Sequence, residues 1–589
     1  MPPTRLANFG YRRFDPNGSL SRQAGASLTS PRVAWLSGPW PGYEPSMSPA
    51  IATPGAASLV LNMIEHEGVL SQQNGYERVG SATLPLGGTS PPDVGSEEPL
   101  VGIFQGRTNS TQAVRRYAVT SDVGANGHFY ELVSGAWTNR AAGTTVFTGD
   151  ASDPASTLVD AAHFQVGDYN VFCGGQGNPI FRFPGASVAA EYEVLGNLGS
   201  VTSIGANSVC SAEERIHAFG TIENGTFYPA RWRWTSKGAS GQFDPLSTGA
   251  SFADLNEFGS EGLCVRPIGN KVALYLTNGG MLAARTGIST DPFRKDYAWT
   301  DRGLLSTHSI VDLGFGIHFG LFTDGWFMLR YDGQWEERGV RDQYHKWMHE
   351  FYGTLDWANR KRVICEYDPG ERVVYIAFPQ AGSGVDYPTA VWLYDIQTDT
   401  VWPADWPELP NCFGQYIEEV AAGPAWSAMT TTWGGTAGSW GSLETQIGRS
   451  RVQHGTSDGY VYTHRPDLVT RDSVLPTYLY RSHFITGPRP DQHKKLDGLY
   501  IDYTRVQGNN NSDPTPISVT LENENGTQRT GSISQTEGPT LSVQTDFVTG
   551  AVDGTAVRFT ISGQAPVKIN RIGLQMYEES DSVRKEGAD

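Results

Sequence analysis

The stretch from Arg360 to Trp402 constrains the fold more than any other part of the 589-residue sequence, because it writes out a sheet unit together with its turns. Val363 to Tyr367 and Val373 to Phe378 are β-branched and aromatic runs, and such side chains suit a pleated, half-buried surface. Between them Asp368-Pro369-Gly370 predicts a hairpin turn, with the proline fixing φ and the glycine free to take φ > 0. Val391 to Ile396 predicts a third strand, Gln397-Thr398-Asp399 a polar turn, and Thr400 to Trp402 a short fourth strand that Pro403 stops. Four antiparallel strands in about forty residues is the size of one β-propeller blade.

The same grammar recurs with divergent wording. Asn224-Gly225, Asn278-Gly279, Asp324-Gly325, Asp332-Gly333 and Ser457-Asp458-Gly459 each separate apolar, alternating runs, as two-residue hairpin turns do. Counted from residue 99 to 470 there are about seven such units, which predicts an all-β fold with a β-propeller of six to eight blades. A two-sheet sandwich array would leave a similar pattern. Residues 475–577 carry strands joined by Asn/Asp/Gly turns with no helical period, which predicts an additional β-sandwich domain. Residues 1–50 are rich in Pro, Gly, Ser and Arg and predict an extended N-terminal arm, which Trp35, Trp40 and Tyr43 would let order against a neighbour. Residues 51–98 predict entry strands and a linker, with one strand from Leu59 to Ile64 and a turn at Glu67-Gly68, and 578–589 a frayed tail. Arg341 to Tyr352 is the one helical stretch.

Composition narrows the function. The formal net charge is −18, which argues against a sequence-independent grip on nucleic acid through a basic surface. The opening MPPTRLANFGYRRF has no apolar core of signal-peptide length, and no run reaches the 18 or more apolar residues of a membrane span, so membrane insertion is not expected. Cys173, Cys210, Cys264, Cys365 and Cys412 are far apart and never paired as CxxC, which reads as buried apolar packing.

No constellation commits the chain to chemistry. His345 and His349 have the helical spacing of two metal ligands, but no glutamate follows His345 and no third ligand is evident. The pairs Glu65/Glu67, Glu213/Glu214 and Glu336/Glu337 are too close in sequence to flank a substrate, as a catalytic pair must. Arg231 and Arg233 around Trp232 could stack a base or a sugar, although a solvated sheet face is the plainer reading. In Thr323-Asp324-Gly325-Trp326 the Asp and Gly are adjacent, which makes a hairpin turn and not the Asp box of sialidases. HExxH, Walker and Rossmann fingerprints are missing from the sequence. No catalytic, cofactor-binding or metal-binding residue is assigned, and an enzyme is not expected. Trp426, Trp433 and Trp440, spaced by seven in a Gly/Thr-rich run, predict tight turns that each lay an indole on a sheet.

Taken together, Gly68-Val69-Leu70…Asn74-Gly75-Tyr76, the FTDGWFMLRYDG hairpins, the VICEYDPGERVVYIAFP…AVWLYDIQTDTVWP unit, the spaced tryptophans and SDGYVYTH resemble β-propeller virion proteins of tailed phages, in particular the tail nozzle (tail tubular protein B type) of short-tailed phages. The resemblance spans about residues 58–470 and rests on turns and aromatics, with no catalytic residues to carry over. It implies a structural component of the virion tail, made in the host cytoplasm, in a homo-oligomeric ring, with a hexamer as the implied state. The implied partners are a tail adaptor, tail fibre or spike proteins, and genomic DNA that passes during ejection without specific binding. On this reading the channel wall is net acidic and the arm at 1–50 crosses onto a neighbouring subunit or the adaptor. The alternative is a propeller that binds or cleaves glycans, as a receptor-binding or sialidase-like protein would.

Overall fold

The computed structural model describes the chain between residues 32 and 578 apart from connecting segments, the longest being 81–98, 141–157 and 418–449. Seven four-stranded antiparallel sheets make up the propeller among the described residues. Blades 1 to 6 follow one another in sequence, their innermost strands being Leu100–Arg107, Asp160–Phe164, Ile204–Ala212, Gly262–Ile268, Ile310–Gly314 and Ile364–Asp368. Because strands alternate in direction, the turns between first and second strands share one face of the propeller, and those between second and third strands share the other.

Blade 7 is assembled from both ends of the propeller sequence. Pro410–Ile417, Ser450–Thr456 and Val461–Arg465 supply three strands, and Gly75–Arg78 supplies the outermost, pairing Tyr76 with His464. Gly75 is required here: a Cβ would lie 2.0 Å from the Thr470 carbonyl oxygen. Blade 7 then packs on blade 1, where Asn411 Nδ2 donates to Leu100 O at 2.6 Å and the Ile417 amide donates to Gln105 Oε1.

The N-terminal strands, numbered in chain order, also build the second body. β1 (Arg32–Ser37) pairs along the C-terminal strand Val567–Glu578, β2 (Ala57–Leu61) joins Tyr478–Ser482, and β3 (Met63–His66) with β4 (Val69–Gln72) extends the first sheet. The result is a β-sandwich of one six-stranded and one five-stranded sheet, into whose sequence the propeller is inserted. This corrects two expectations. The segment Arg32–Ser37 lies on its own chain's sandwich, whereas residues 1–31 fall outside the described residues, as does the tail beyond 578. The run Leu59 to Ile64 is two strands: Asn62 takes φ 58°, and that left-handed residue passes the chain from one sheet to the other. Gln528–Ile533 and Gln544–Gly554 are further strands of the sandwich.

Blade 6 keeps the predicted four strands with two corrections. Gly370 does not carry the positive φ; Arg372 does, at 58°, while Asp368 Oδ1 accepts from the Gly370 and Glu371 amides at 2.8 and 3.2 Å. The second loop repeats this device with Asp395 Oδ1 on the Gln397 and Thr398 amides and Asp399 at φ 55°. Pro403 sits inside the fourth strand, Thr400–Ala404, opposite Trp392. An outermost strand tolerates it because the missing amide would have pointed away from the sheet. The helix covers Met348–Thr354, α1, and buries Met348 and Phe351 between blades 5 and 6, with Phe351 edge-on to Trp326 at 5.1 Å and 4.8 Å from Phe378.

Sandwich and propeller meet at the outer strand of blade 6. Asn62 donates to Thr477 O (2.7 Å) and to Pro403 O through its amide (3.2 Å), and accepts from the Asp405 amide (2.8 Å). Buried Gln73 and Arg471 continue this polar seam, the guanidinium reaching Gln73 Oε1 at 3.3 Å and Asp405 O. With these partners met, burying the seam costs far less than leaving any one of them alone would.

Candidate functional site at the propeller axis

The innermost strands bring together polar residues that sequence analysis did not single out. Asp160 of blade 2 accepts both Arg266 guanidinium nitrogens of blade 4, at 2.8 Å each, and also the Ser208 hydroxyl of blade 3 at 2.6 Å and the Val209 amide at 3.0 Å. Burial opposes the Asp160 charge, but the Arg266 guanidinium outweighs it and holds the carboxyl below its ordinary range. Arg266, whose side chain keeps 19% exposure, is in turn committed to its own strand, donating to Val265 O at 2.9 Å.

Across the axis, Glu366 of blade 6 accepts from Gln415 Nε2 of blade 7 at 2.7 Å and from the Tyr367 amide at 3.1 Å. Burial nevertheless pushes its carboxyl up to about 7. A small cavity of about 40 Å³ lies beside it, lined by His308, Cys365, Cys412, Val159 and Phe413 as well as Glu366. That is room for water, which needs roughly 10–15 Å³. His308 Nε2 is buried there without a protein partner, and burial holds the imidazole below its usual value.

The signal that could have found this set is the blade repeat. Ser208 follows Asp160 by 48 residues, Arg266 follows Ser208 by 58, and Gln415 follows Glu366 by 49, one polar residue per innermost strand. Single polar residues so far apart make no local motif.

The residues weighed from sequence are dispersed. Glu65 is buried and accepts from the Trp40 amide at 2.9 Å, and Glu67 lies outside the described residues. Glu213 and Glu214 form the first turn of blade 3, paired with Arg285 and Lys237. Glu336 and Glu337 lie on the outermost strand of blade 5. Arg231 is bidentate to Asp254 and Arg233 pairs with Glu223, while Trp232 is buried between them beside His217. His349 is exposed on α1, whereas His345 and the three spaced tryptophans lie outside the described residues. All five cysteines are buried and free, and among the described residues no three His, Cys, Asp or Glu side chains converge as a metal-binding group.

The axial pair is a stability element, and its removal is expected to show it. Asp160→Ala leaves a guanidinium enclosed without its counter-charge and is expected to cost about 3 kcal/mol or more. Urea unfolding should show the loss, and Asp160→Ala combined with Arg266→Met should recover part of it.

No family model matches the sequence, and no curated protein does. Among solved structures, YCF48 from Cyanidioschyzon merolae is 11% identical, over 67% of this chain and 99% of that one, with a TM-score of 0.35. The extracellular domain of the putative one-component system BT4673 from B. thetaiotaomicron is 8% identical, over 82% and 57%, with a TM-score of 0.37. Trypanosoma rangeli sialidase in complex with the inhibitor DANA is 8% identical, over 86% and 96%, with a TM-score of 0.26. The all-β propeller assignment stands on the strand pairing of the chain itself.

Proposed function

We propose that the protein is a non-enzymatic structural subunit of a phage tail, a ring-forming nozzle component beneath the adaptor that encloses the channel for DNA. The observation that carries this reading is the state of the axis, where a propeller enzyme or lectin would be expected to present free, convergent charges. Arg266 is instead bound by Asp160, and Glu366 is held by Gln415 and the Tyr367 amide. Of the stretches that resemble nozzle proteins, the hairpin around Asp324-Gly325, the Arg360–Trp402 unit and the strand Val461–Arg465 lie in this same propeller. A net charge of −18 suits a wall past which DNA slides, since like charge prevents the counterion release that drives phosphate binding.

Native mass measurement and electron microscopy of the purified chain, with and without tail adaptor, test the reading. A closed ring with an acidic lumen and no retention of duplex DNA at physiological salt is the expected result. A monomer under both conditions that binds oligosaccharides on an array would overturn it in favour of the glycan-binding alternative.

A further inference from the structure

The axial cavity joins groups from different blades, since Glu366 lies on the innermost strand of blade 6 and His308 on the segment that enters blade 5. Gln415 Nε2 and the Tyr367 amide both bond to Oε1 of Glu366, which leaves the second carboxyl oxygen to the cavity that Glu366 lines. His308 is fixed through its own backbone, its carbonyl accepting the Cys365 amide at 2.8 Å and the Cys365 thiol at 3.3 Å. Its ring bonds to the Leu158 backbone, and because Nε2 has no protein partner that bond falls on Nδ1. A backbone carbonyl requires a donor, so the proton of the neutral ring is on Nδ1 and Nε2 carries the lone pair.

An ionised Glu366 and this lone pair would be two buried acceptors on one cavity with no donor between them, an arrangement that costs free energy. A carboxyl proton and water resolve it: Glu366 donates to the water and the water donates to Nε2. At about 40 Å³ the cavity has room for about two or three waters. A cation is a poorer occupant. Glu366 is the one carboxylate among the lining side chains, whereas a hard cation takes six or so oxygens. Cys365 and Cys412 also line the wall, but burial raises both thiols, and among the described residues no three ligand side chains converge.

We propose that the cavity is a hydrated proton-sharing site, in which ordered water bridges a protonated Glu366 carboxyl to His308 Nε2. The bridge completes a hydrogen-bonded chain from Gln415 of blade 7 through Glu366 and His308 to Leu158 at the entry to blade 2. This site does not depend on the ring reading. Burial is the largest influence on Glu366 and, with Asp368 two residues along its strand, favours the neutral carboxyl against the Tyr367 and Gln415 donors and Arg266 of blade 4. Burial, with Arg266, likewise favours the neutral His308 ring against Asp160 of blade 2 and the Leu158 carbonyl. With a folded value of about 7 against about 4.3 unfolded, Glu366 contributes stability that is complete below the unfolded value and is lost as pH rises through 7.

Infrared difference spectroscopy and thermal melting of the full chain between about pH 5.5 and 8.5, with Glu366→Gln and His308→Leu alongside wild type, test the site. A protonated-carboxyl band that bleaches as pH rises through about 7, is missing in Glu366→Gln and changes frequency in His308→Leu is the expected result. Glu366→Gln, whose amide donates where the carboxyl proton did, should melt close to wild type at the acid end and above it at the alkaline end. Melting temperatures of wild type and Glu366→Gln that stay parallel across the range overturn the site, whether or not His308→Leu folds. A carboxyl band unchanged in a folded His308→Leu overturns the bridge to Nε2. Stabilisation of wild type by Zn²⁺ or K⁺ that Glu366→Gln abolishes would overturn it too, and would assign the cavity to a cation.

Discussion

Tyr76→Ala is expected to destabilise the chain by about 3–5 kcal/mol, the range for truncating a large buried aromatic. Tyr76 sits on the strand that closes blade 7, with no exposed surface, and its ring lies 4.9 Å from His454, 5.3 Å from Tyr462, 5.4 Å from His464 and 5.5 Å from Trp406. Its hydroxyl donates to Glu408 Oε2 at 2.5 Å. Alanine would remove the ring that joins the closing strand to its blade and leave a cavity no neighbour can fill without moving the strand. Tyr76→Phe keeps the ring and loses only the hydroxyl bond, for an expected cost of about 1–2 kcal/mol. Urea midpoints followed by tryptophan fluorescence should rank wild type above Tyr76→Phe and Tyr76→Phe above Tyr76→Ala. Equal midpoints for all three would mean that the N-terminal strand does not hold the propeller shut. The same topology predicts a harsher result for a chain beginning at residue 79. It lacks four sandwich strands and one blade strand, so limited proteolysis should degrade both bodies together.

Local grammar was readable where the residues that specify a feature are neighbours. The turns of blade 6, the Asn224-Gly225 hairpin and the count of about seven units all follow from turn residues flanked by β-formers. Pairing between distant segments left no such mark. Nothing around Gly75 announces that it meets Thr470, and the charge and polarity of Gln528–Ile533 disguise an edge strand whose side chains mostly face water. Asn62 was hidden inside an apolar run, because one left-handed residue that switches sheets does not interrupt the run's composition. The axis was hardest to read: Asp160 and Arg266 are 106 residues apart, and either alone is an ordinary polar residue in a strand.

Acidification from pH 7 to 4.5 is expected to destabilise the fold steeply, through histidines buried in the neutral form. His217 Nε2 donates to Ala212 O at 3.2 Å while Nδ1 accepts from the Trp232 indole at 3.2 Å. His318 repeats the arrangement in blade 5, Nε2 donating to Pro267 O and Nδ1 accepting from the Tyr275 hydroxyl, both at 2.8 Å. Protonating Nδ1 would break the second bond in each case. His454 Nδ1 and His464 Nε2 share one bond of 2.9 Å inside the aromatic cluster around Tyr76. Burial holds His217 and His454 down to about 3 and His318 to about 4, and it holds His464 well below its ordinary value, with the Arg471 charge adding to the effect on the His454–His464 pair. A folded pKa below the unfolded value of about 6.5 means that the stabilisation is complete above that pH and is lost as pH falls toward the folded value. At pH 4.5 His217 and His454 would each cost about 3 kcal/mol. Two carboxyls work the other way. Burial raises Glu366 to about 7 and Asp368 to about 6, so their ionisation is unfavourable at neutral pH and acid relieves it. These four histidines, with His308 and His483, which burial also holds below their ordinary value, outnumber the two carboxyls, so unfolding takes up protons and stability falls as pH drops from about 6 to 4.5, by about 1.4 kcal/mol per pH unit for each net proton. Urea unfolding at intervals across that range measures the slope, and a flat profile would refute it. His318→Asn, which can still donate and accept but does not titrate, should reduce the slope by about one proton, or about 1.4 kcal/mol per pH unit. A slope unchanged by that substitution would place the acid sensitivity elsewhere in the chain.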